Sequence, residues 1–335
     1  MKILHLPYGA GISILSRSLR NQGVDSVSCS FNSSNYYDYL ADVRLNLNEY
    51  PPEEREEIRK NFFEKSMEKY DIFHFHFGET FYHDKRDLKE LTKKGKKIIV
   101  HHRGSEVRRL SIARSFNNPY IRVKRTWSEK IICKNLSYLS SYVDRAIVND
   151  HELLPYVEPY YKKTHIVPHA IDINQFKAHY PLTNDKPLIV HAPSHKEIKG
   201  TQFVLKTIKR LKNEGVDFTF KLIENLPHSE ALKLYQNATI VIDQLRIGSY
   251  ANLSLEAMAM GKPVICYIRK DLVDKYPSEL PIVNANPDTI YKILKNLLNR
   301  PQEWKGLGKQ GRQYIEKYHS LEVIAKQLIS IYSEL

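Results

Sequence analysis

Short apolar runs alternate with amphipathic stretches along almost all of this 335-residue chain. Apolar runs bounded by turn residues read as strands buried on both faces. They fall at 2–6, 26–30, 72–76, 97–101, 145–148, 166–168, 188–192, 219–223, 239–242, 264–267 and 282–283. Positions with helical periodicity fill the intervals at 12–22, 53–69, 85–94, 130–141, 202–213, 229–236, 253–260 and 288–299. A last amphipathic helix is expected at 321–332. Strands separated by helices predict an α/β fold of parallel sheets with right-handed crossovers. The polar stretch HYPLTNDKP at 179–187 breaks the pattern with two prolines and reads as a linker. The expected organisation is two Rossmann-like domains, 1–180 and 188–316, joined by a linker at 181–187. A tail at 317–335 carries the helix that packs back toward the first domain. Two such halves facing each other would align the carboxyl ends of both sheets along a central cleft.

The segment IGSYANLSLEAMAMGKPVIC, 247–266, carries the most specific pattern. It predicts a loop, a helix apolar on most faces and therefore interior, and a second buried strand. Asn252 or Ser254 is the expected cap, Glu256 is expected in the first turn, and Gly261 ends the helix. A helix start reached from a Gly-Ser loop is suited to an anion, and the nearby acid to sugar hydroxyls. About fifty residues upstream, HAPSHKEIKGT at 191–201 follows another strand. There Lys196 and Lys199 bracket a turn and Thr201 can cap the next helix, an arrangement suited to a diphosphate whose charge grows as it leaves.

Composition narrows the class. With 42% hydrophobic and 27% charged residues, the sequence reads as a soluble globular protein. No apolar run is long enough for a membrane helix, and MKILHLPYGAGISIL reads as strand, glycine turn and helix rather than as a signal peptide. Cys29, Cys133 and Cys266 lie far apart, which favours a reducing cytosol and no metal cluster. A cytoplasmic protein is expected. The net charge of +13 adds an anionic partner, and 103–134 holds nine Arg or Lys against Glu106 and Glu129. A basic stretch of this kind suits a lipid phosphate or peripheral binding at the inner face of the cell membrane. No helix-turn-helix, zinc finger or RNA-binding aromatic pattern accompanies it, so no nucleic acid partner is expected.

In the first half, Gly9 and Gly11 sit between a strand and a helix, where a phosphate or sugar can approach the backbone. This is not a dinucleotide fingerprint, because Ile14 occupies the third glycine position and no acid ends the 26–30 strand. His101-His102-Arg103 follows another strand, and Arg103 and Arg108 can meet donor or acceptor phosphates. Tyr36 and Tyr37 can stack on an acceptor sugar. His74 and His76 alternate with phenylalanine and share one face. No third metal ligand is identifiable from the sequence, so a packed strand is the preferred reading and no metal site is assigned. The chain has no Asp-x-Asp, no G-x-S-x-G elbow, no Walker loop and no kinase set.

Taken together, these segments resemble the retaining glycosyltransferases of family 4 (glycosyl transferases group 1), which have the two-domain GT-B architecture. LEAMAMGKPV at 255–264 matches that family's EAMA-G-PV segment, and VPHAIDINQF at 167–176 is similar to its interdomain segment. Lys199-Gly200 matches its Lys-Gly pair. Two positions depart from the pattern: Gly248 stands where the family's first acid contacts the donor sugar, and Ser194 aligns with its usual arginine. The resemblance implies metal-independent, retaining transfer from a nucleoside diphosphate sugar, with UDP the default nucleotide and no cofactor. The acceptor would be a glycan or a polyprenyl-phosphate-linked glycan of cell-surface polysaccharide synthesis. It implies a donor site of Gly9, Gly11, His101, Arg103, Ser194, Lys196, Gly248, Ser249, Tyr250, Ala251, Asn252, Leu253, Ser254 and Glu256. His102 and Lys199 would act in catalysis, and Tyr36, Tyr37 and Arg108 would meet the acceptor. Three alternatives stay open: a nucleotide-sugar 2-epimerase of the same architecture, a non-catalytic GT-B partner protein, and a nucleic-acid-binding protein.

Overall fold

In a computed structural model, which describes residues 1–32, 41–183 and 186–335, the chain forms two compact units, neither continuous in sequence. Unit 1 comprises Met1–Arg109, Arg125–Ala170 and Leu321–Leu335. Unit 2 comprises Leu110–Lys124 and Ile171–Ser320.

Unit 1 is built on a seven-stranded sheet. Its strands are β1 (Lys2–Leu6), β2 (Asp25–Ser30), β3 (Val43–Arg44), β4 (Ile72–His76), β5 (Lys97–His102), β6 (Arg145–Val148) and β7 (Lys163–Ile166). The order is β3-β2-β1-β4-β5-β6-β7, and every pairing is parallel. All five residues of β4 are buried, as a strand covered on both faces requires. The edge strand at 163–166 precedes the expected 166–168, because its half-exposed KTHI lacks an apolar run. The helices are α1 (Ala10–Arg20), α2 (Pro52–Lys69), α3 (Asp87–Lys93), α5 (Glu129–Ser140), α6 (Leu154–Val157) and the C-terminal α14 (Leu321–Ser333). On α14, Ile324, Ala325, Leu328, Ile331 and Tyr332 join Ile3, Leu15, Leu19 and Ile72 in one core. The sheet order reverses between β1 and β4, where α/β sheets open a crevice at their carboxyl ends.

Unit 2 has five strands, β8 (Leu188–His191), β9 (Thr219–Leu222), β10 (Ile240–Ile242), β11 (Val264–Cys266) and β12 (Val283–Asn284). They lie in the order β12-β11-β10-β8-β9, all parallel, so the reversal falls between β8 and β10. Its helices are α4 (Leu110–Arg114), α7 (Lys196–Lys199), α8 (Thr201–Asn213), α9 (His228–Gln236), α10 (Asn252–Ala259), α11 (Lys270–Val273), α12 (Ile290–Leu298) and α13 (Trp304–Tyr318). Strand residues alternate between two cores. Ile189, Ile240, Ile242 and Ile265 pack with α8 and α12, whereas Val190, Val241 and Val264 pack with α9, α10 and α13.

These units correct the expected division of the chain. Residues 110–124 belong to unit 2, where Phe116 lies under the Arg269 guanidinium at 4.2 Å and the Asn118 amide donates to the Arg246 carbonyl at 2.7 Å. The basic 103–134 stretch is therefore shared between the units. The 179–187 stretch is also more than a linker. The His179 amide donates to the Met260 carbonyl at 2.9 Å, Tyr180 packs over Gly261, and Lys262 donates to the His179 carbonyl. These are contacts at long range, and local composition does not encode them.

Candidate functional site

The reversal point of unit 2 brings together the loops that follow β8 and β10. Lys199 ends α7 with Nζ 2.7 Å from Asp243 Oδ1, just beyond β10. Ser254, in the first turn of α10, donates its hydroxyl to the other oxygen, Asp243 Oδ2, at 2.7 Å. Asp243 is wholly buried, and Lys199 keeps 11% of its side-chain exposure. Burial works to raise the Asp243 carboxyl, but the Lys199 charge and the two hydrogen bonds outweigh it and hold the group below the carboxylate range. Behind the pair, His191 donates Nδ1–H to the Ile242 carbonyl at 2.8 Å and accepts from Thr201 Oγ1 at 2.9 Å, with burial keeping it neutral.

Helix α10 begins without a side-chain cap. Its N-cap is Ala251, so neither Asn252 nor Ser254 plays the expected part. Ser254 is committed to Asp243, and Thr201 likewise bonds His191 while Gly200 occupies the N-cap of α8. No side-chain cap hydrogen bond is made at the start of α10 among the described residues, and its first-turn N–H groups face the preceding loop 244–251. Glu256 lies in the second turn rather than the first, one-seventh exposed, with Oε1 2.9 Å from His228 Nε2 at the start of α9. That hydrogen bond raises the His228 imidazolium above its ordinary value. Ser249 is buried and its carbonyl accepts from Gln244, and the Tyr250 hydroxyl lies 3.2 Å from both Tyr314 Oη and His319 Nε2. Lys196 and Ser194 are exposed, with Lys196 Nζ 3.0 Å from Glu224.

Gly248 has a structural cause. Its φ is +98°, and a Cβ there would lie 2.6 Å from Arg269 Cβ and 3.3 Å from Arg269 N. The Arg269 amide in turn donates to the Gly248 carbonyl at 2.9 Å. No acid fits this position without moving the Arg269 backbone.

In unit 1 the reversal point gathers Gly9, Gly11 and Arg103. Gly9 has φ +109° and faces the Phe77 ring, which stacks on Tyr8 at 4.9 Å. Phe77 itself has φ +61°, a strained conformation for an aromatic residue. The Arg103 guanidinium lies 3.1 Å from where a Gly11 side chain would begin, and burial lowers Arg103 to about 10. His102 is buried, with Nε2 2.9 Å from Tyr161 Oη. Glu106 accepts from the Arg103 and Gly104 amides and closes the turn. Arg108 is engaged by Glu152 through two nitrogens at 2.6–3.0 Å, so its guanidinium serves the interior of unit 1. Tyr36 and Tyr37 lie outside the described residues.

The third imidazole beside His74 and His76 comes from β1. His5, His74 and His76 are fully buried, with one ring nitrogen of each within 4.8 Å of the others. The set fits a metal poorly. Arg103 donates to His76 Nδ1 at 3.1 Å, so His76 Nε2 carries the proton and faces His5 Nδ1 at 3.3 Å. Both His76 nitrogens are thereby used and a buried cation already adjoins the cluster. Burial, with Arg103 next, lowers His5 to about 3. His101 stacks on His74 and His76 at 5.5 and 5.3 Å and accepts from the Asn149 amide, so it belongs to this packed layer.

Sequence reasoning missed Asp243, His228 and Arg269. Asp243 was marked only by an acid at the carboxyl end of an apolar run, and His228 by its place after Leu226-Pro227 at a helix start.

Residues 196–330 match a family model described as glycosyl transferase-like. A comparison with curated proteins finds no match. Among solved structures, the chain is similar over its whole length to sucrose-phosphate synthase from Thermosynechococcus elongatus (14% identity, 99% of that chain, TM-score 0.65). It is also similar to HepE of Anabaena, solved with UDP and glucose (11% identity, full coverage of both chains, TM-score 0.68). The UDP-GlcNAc 2-epimerase of Neisseria meningitidis, bound to UDP-GlcNAc, aligns over both full chains at 14% identity with TM-score 0.56.

Proposed function

We propose that this chain, GT-B in fold and glycosyl transferase-like over residues 196–330, is a glycosyltransferase that takes its sugar from a nucleoside diphosphate sugar. The observation that carries the reading is the meeting of Lys199 and the uncapped start of α10 at the reversal point of unit 2. An ammonium and a set of helix N–H groups in one place stabilise a diphosphate most strongly as it departs and gains charge. Glu256, steadied by His228, accepts from the ribose hydroxyls, and the backbone of 250–254 meets the phosphates. Lys196 adds a second cation.

The reaction is read as metal-independent, since the sequence has no Asp-x-Asp and Lys199 with α10 supplies positive potential, and as retaining from the resemblance to family 4. UDP is the default nucleotide, consistent with the UDP bound to HepE. With Gly248 in place of an acid, the sugar is read by other groups. The acceptor is a glycan or polyprenyl-phosphate-linked glycan met by unit 1. No side chain is assigned as catalytic base, and His102 serves through the packing of the β5 turn. A second reading, a nucleotide-sugar 2-epimerase, draws on the likeness to the Neisseria enzyme. It requires epimerised sugar to form without an acceptor.

The test is a thermal-shift panel of UDP, GDP, ADP and their sugars. A true donor at a hundredfold excess over its dissociation constant stabilises the fold by about 2.7 kcal/mol. One nucleotide family is expected to raise the wild-type Tm and to act far less on Glu256→Ala. Equal shifts in the two proteins would sink the assignment.

A further inference from the structure

Asp243 holds two elements that approach the reversal point from different directions. Lys199 arrives after β8 and Ser254 after β10, and each takes one oxygen of the same carboxylate at 2.7 Å. A free lysine side chain is ordered only at the cost of its rotamer entropy, and Asp243 meets that cost before any ligand arrives. An ammonium has three donors, and one is used on Asp243. Lys199 keeps 11% of its side-chain exposure, so an anion can still reach it. His191 adds no proton to Asp243, since its nitrogens are taken by Ile242 and Thr201. The carboxylate is therefore a two-ended tie, with one end on the cation and the other on the helix start.

We propose that Asp243 is a positioning residue that sets the distance between the Lys199 ammonium and the first turn of α10, so that a diphosphate engages both at once. The inference rests on the nucleotide-sugar reading above. It predicts that Asp243 matters for the phosphates and not for the nucleoside, although the same acid lowers the positive charge of the site.

The test is isothermal titration calorimetry on the full chain with UDP, GDP and ADP and with uridine, guanosine and adenosine. Asp243→Asn keeps the size of the side chain and removes its charge. The variant is expected to bind the diphosphate at least about tenfold more weakly, as for loss of a hydrogen bond between charged groups, with nucleoside affinity unchanged. Diphosphate binding that is equal or tighter means that Asp243 only neutralises Lys199, and this overturns the proposal. An equal loss for diphosphate and nucleoside means a general structural role and overturns it as well. If the wild type binds none of the diphosphates, the site reading fails and takes this proposal with it. Ser254→Ala, which leaves the ion pair in place, guards against a variant that does not fold. It is expected to weaken diphosphate binding severalfold, and unchanged affinity counts against the tie.

Discussion

Glu256 and His228 show how one side chain prepares another. In the donor reading proposed above, Glu256 would accept from two hydroxyls, and His228 already fixes one of its oxygens at 2.9 Å. Glu256 was legible from its place in EAMA, whereas His228 lies 28 residues away and only the fold pairs them. The pair makes stability depend on pH in a definite direction. The His228 pKa is raised in the folded state by the Glu256 hydrogen bond, against burial, from an ordinary 6.5. Its contribution is fully present below 6.5 and is lost as pH rises through the higher folded value. Wild type should therefore exceed His228→Gln in urea midpoint at mildly acidic pH, with the gap narrowing toward alkaline pH. Parallel midpoints across that range would remove the ion pair from the account. The effect should be small, because His228 is more than a third exposed.

Among the elements, α10 is legible in the sequence and α13 is not. Helix α10 is apolar on most faces and its end at Gly261, φ +74°, is marked in the sequence. Helix α13 carries Gly306, Gly308 and Gly311, which blur a helical pattern. Two of them exist for packing against α10. A Cβ at Gly308 would fall 2.0 Å from the Gly261 carbonyl oxygen, and one at Gly311 would lie 3.1 Å from Met258 Cγ. Gly306 has open space around it. Gly308→Ala should therefore destabilise the protein by several kcal/mol through overpacking. Gly306→Ala should stabilise it by about 0.5–1 kcal/mol through helix propensity. Chemical denaturation of both variants checks the contrast, and similar effects would refute the packing account. Gly248 follows the same logic, since the loop that precedes α10 closes on the Arg269 backbone.

For the whole molecule, the charge of +13 is a sequence property whose placement the fold decides. Of the basic residues in 103–134, Arg108 and Arg109 are held by Glu152 and by Tyr160 with the Tyr156 carbonyl, while Arg114, Arg122, Lys124, Arg125, Lys130 and Lys134 are exposed. The Arg122–Glu197 pair at 3.4 Å is largely exposed and restrains its guanidinium little. If the protein binds anionic membrane peripherally, sedimentation with phosphatidylserine vesicles should weaken with salt. It should fall by about two orders of magnitude when Arg122, Lys124 and Arg125 are neutralised, at about 1 kcal/mol per charge. Binding indifferent to both changes would end the membrane proposal.

The sequence by itself determined the α/β alternation, the interior helix with its acid and glycine stop, and the excess of positive charge. These depend on periodicity and local backbone preference, which neighbouring residues express. The tertiary structure alone decided that 110–124 joins unit 2 and that Asp243 couples Lys199 to α10. It also decided that His5 completes a packed histidine layer beside Arg103. Each of these rests on groups distant in the chain, whose desolvation and hydrogen bonding take effect only once the strands are in order.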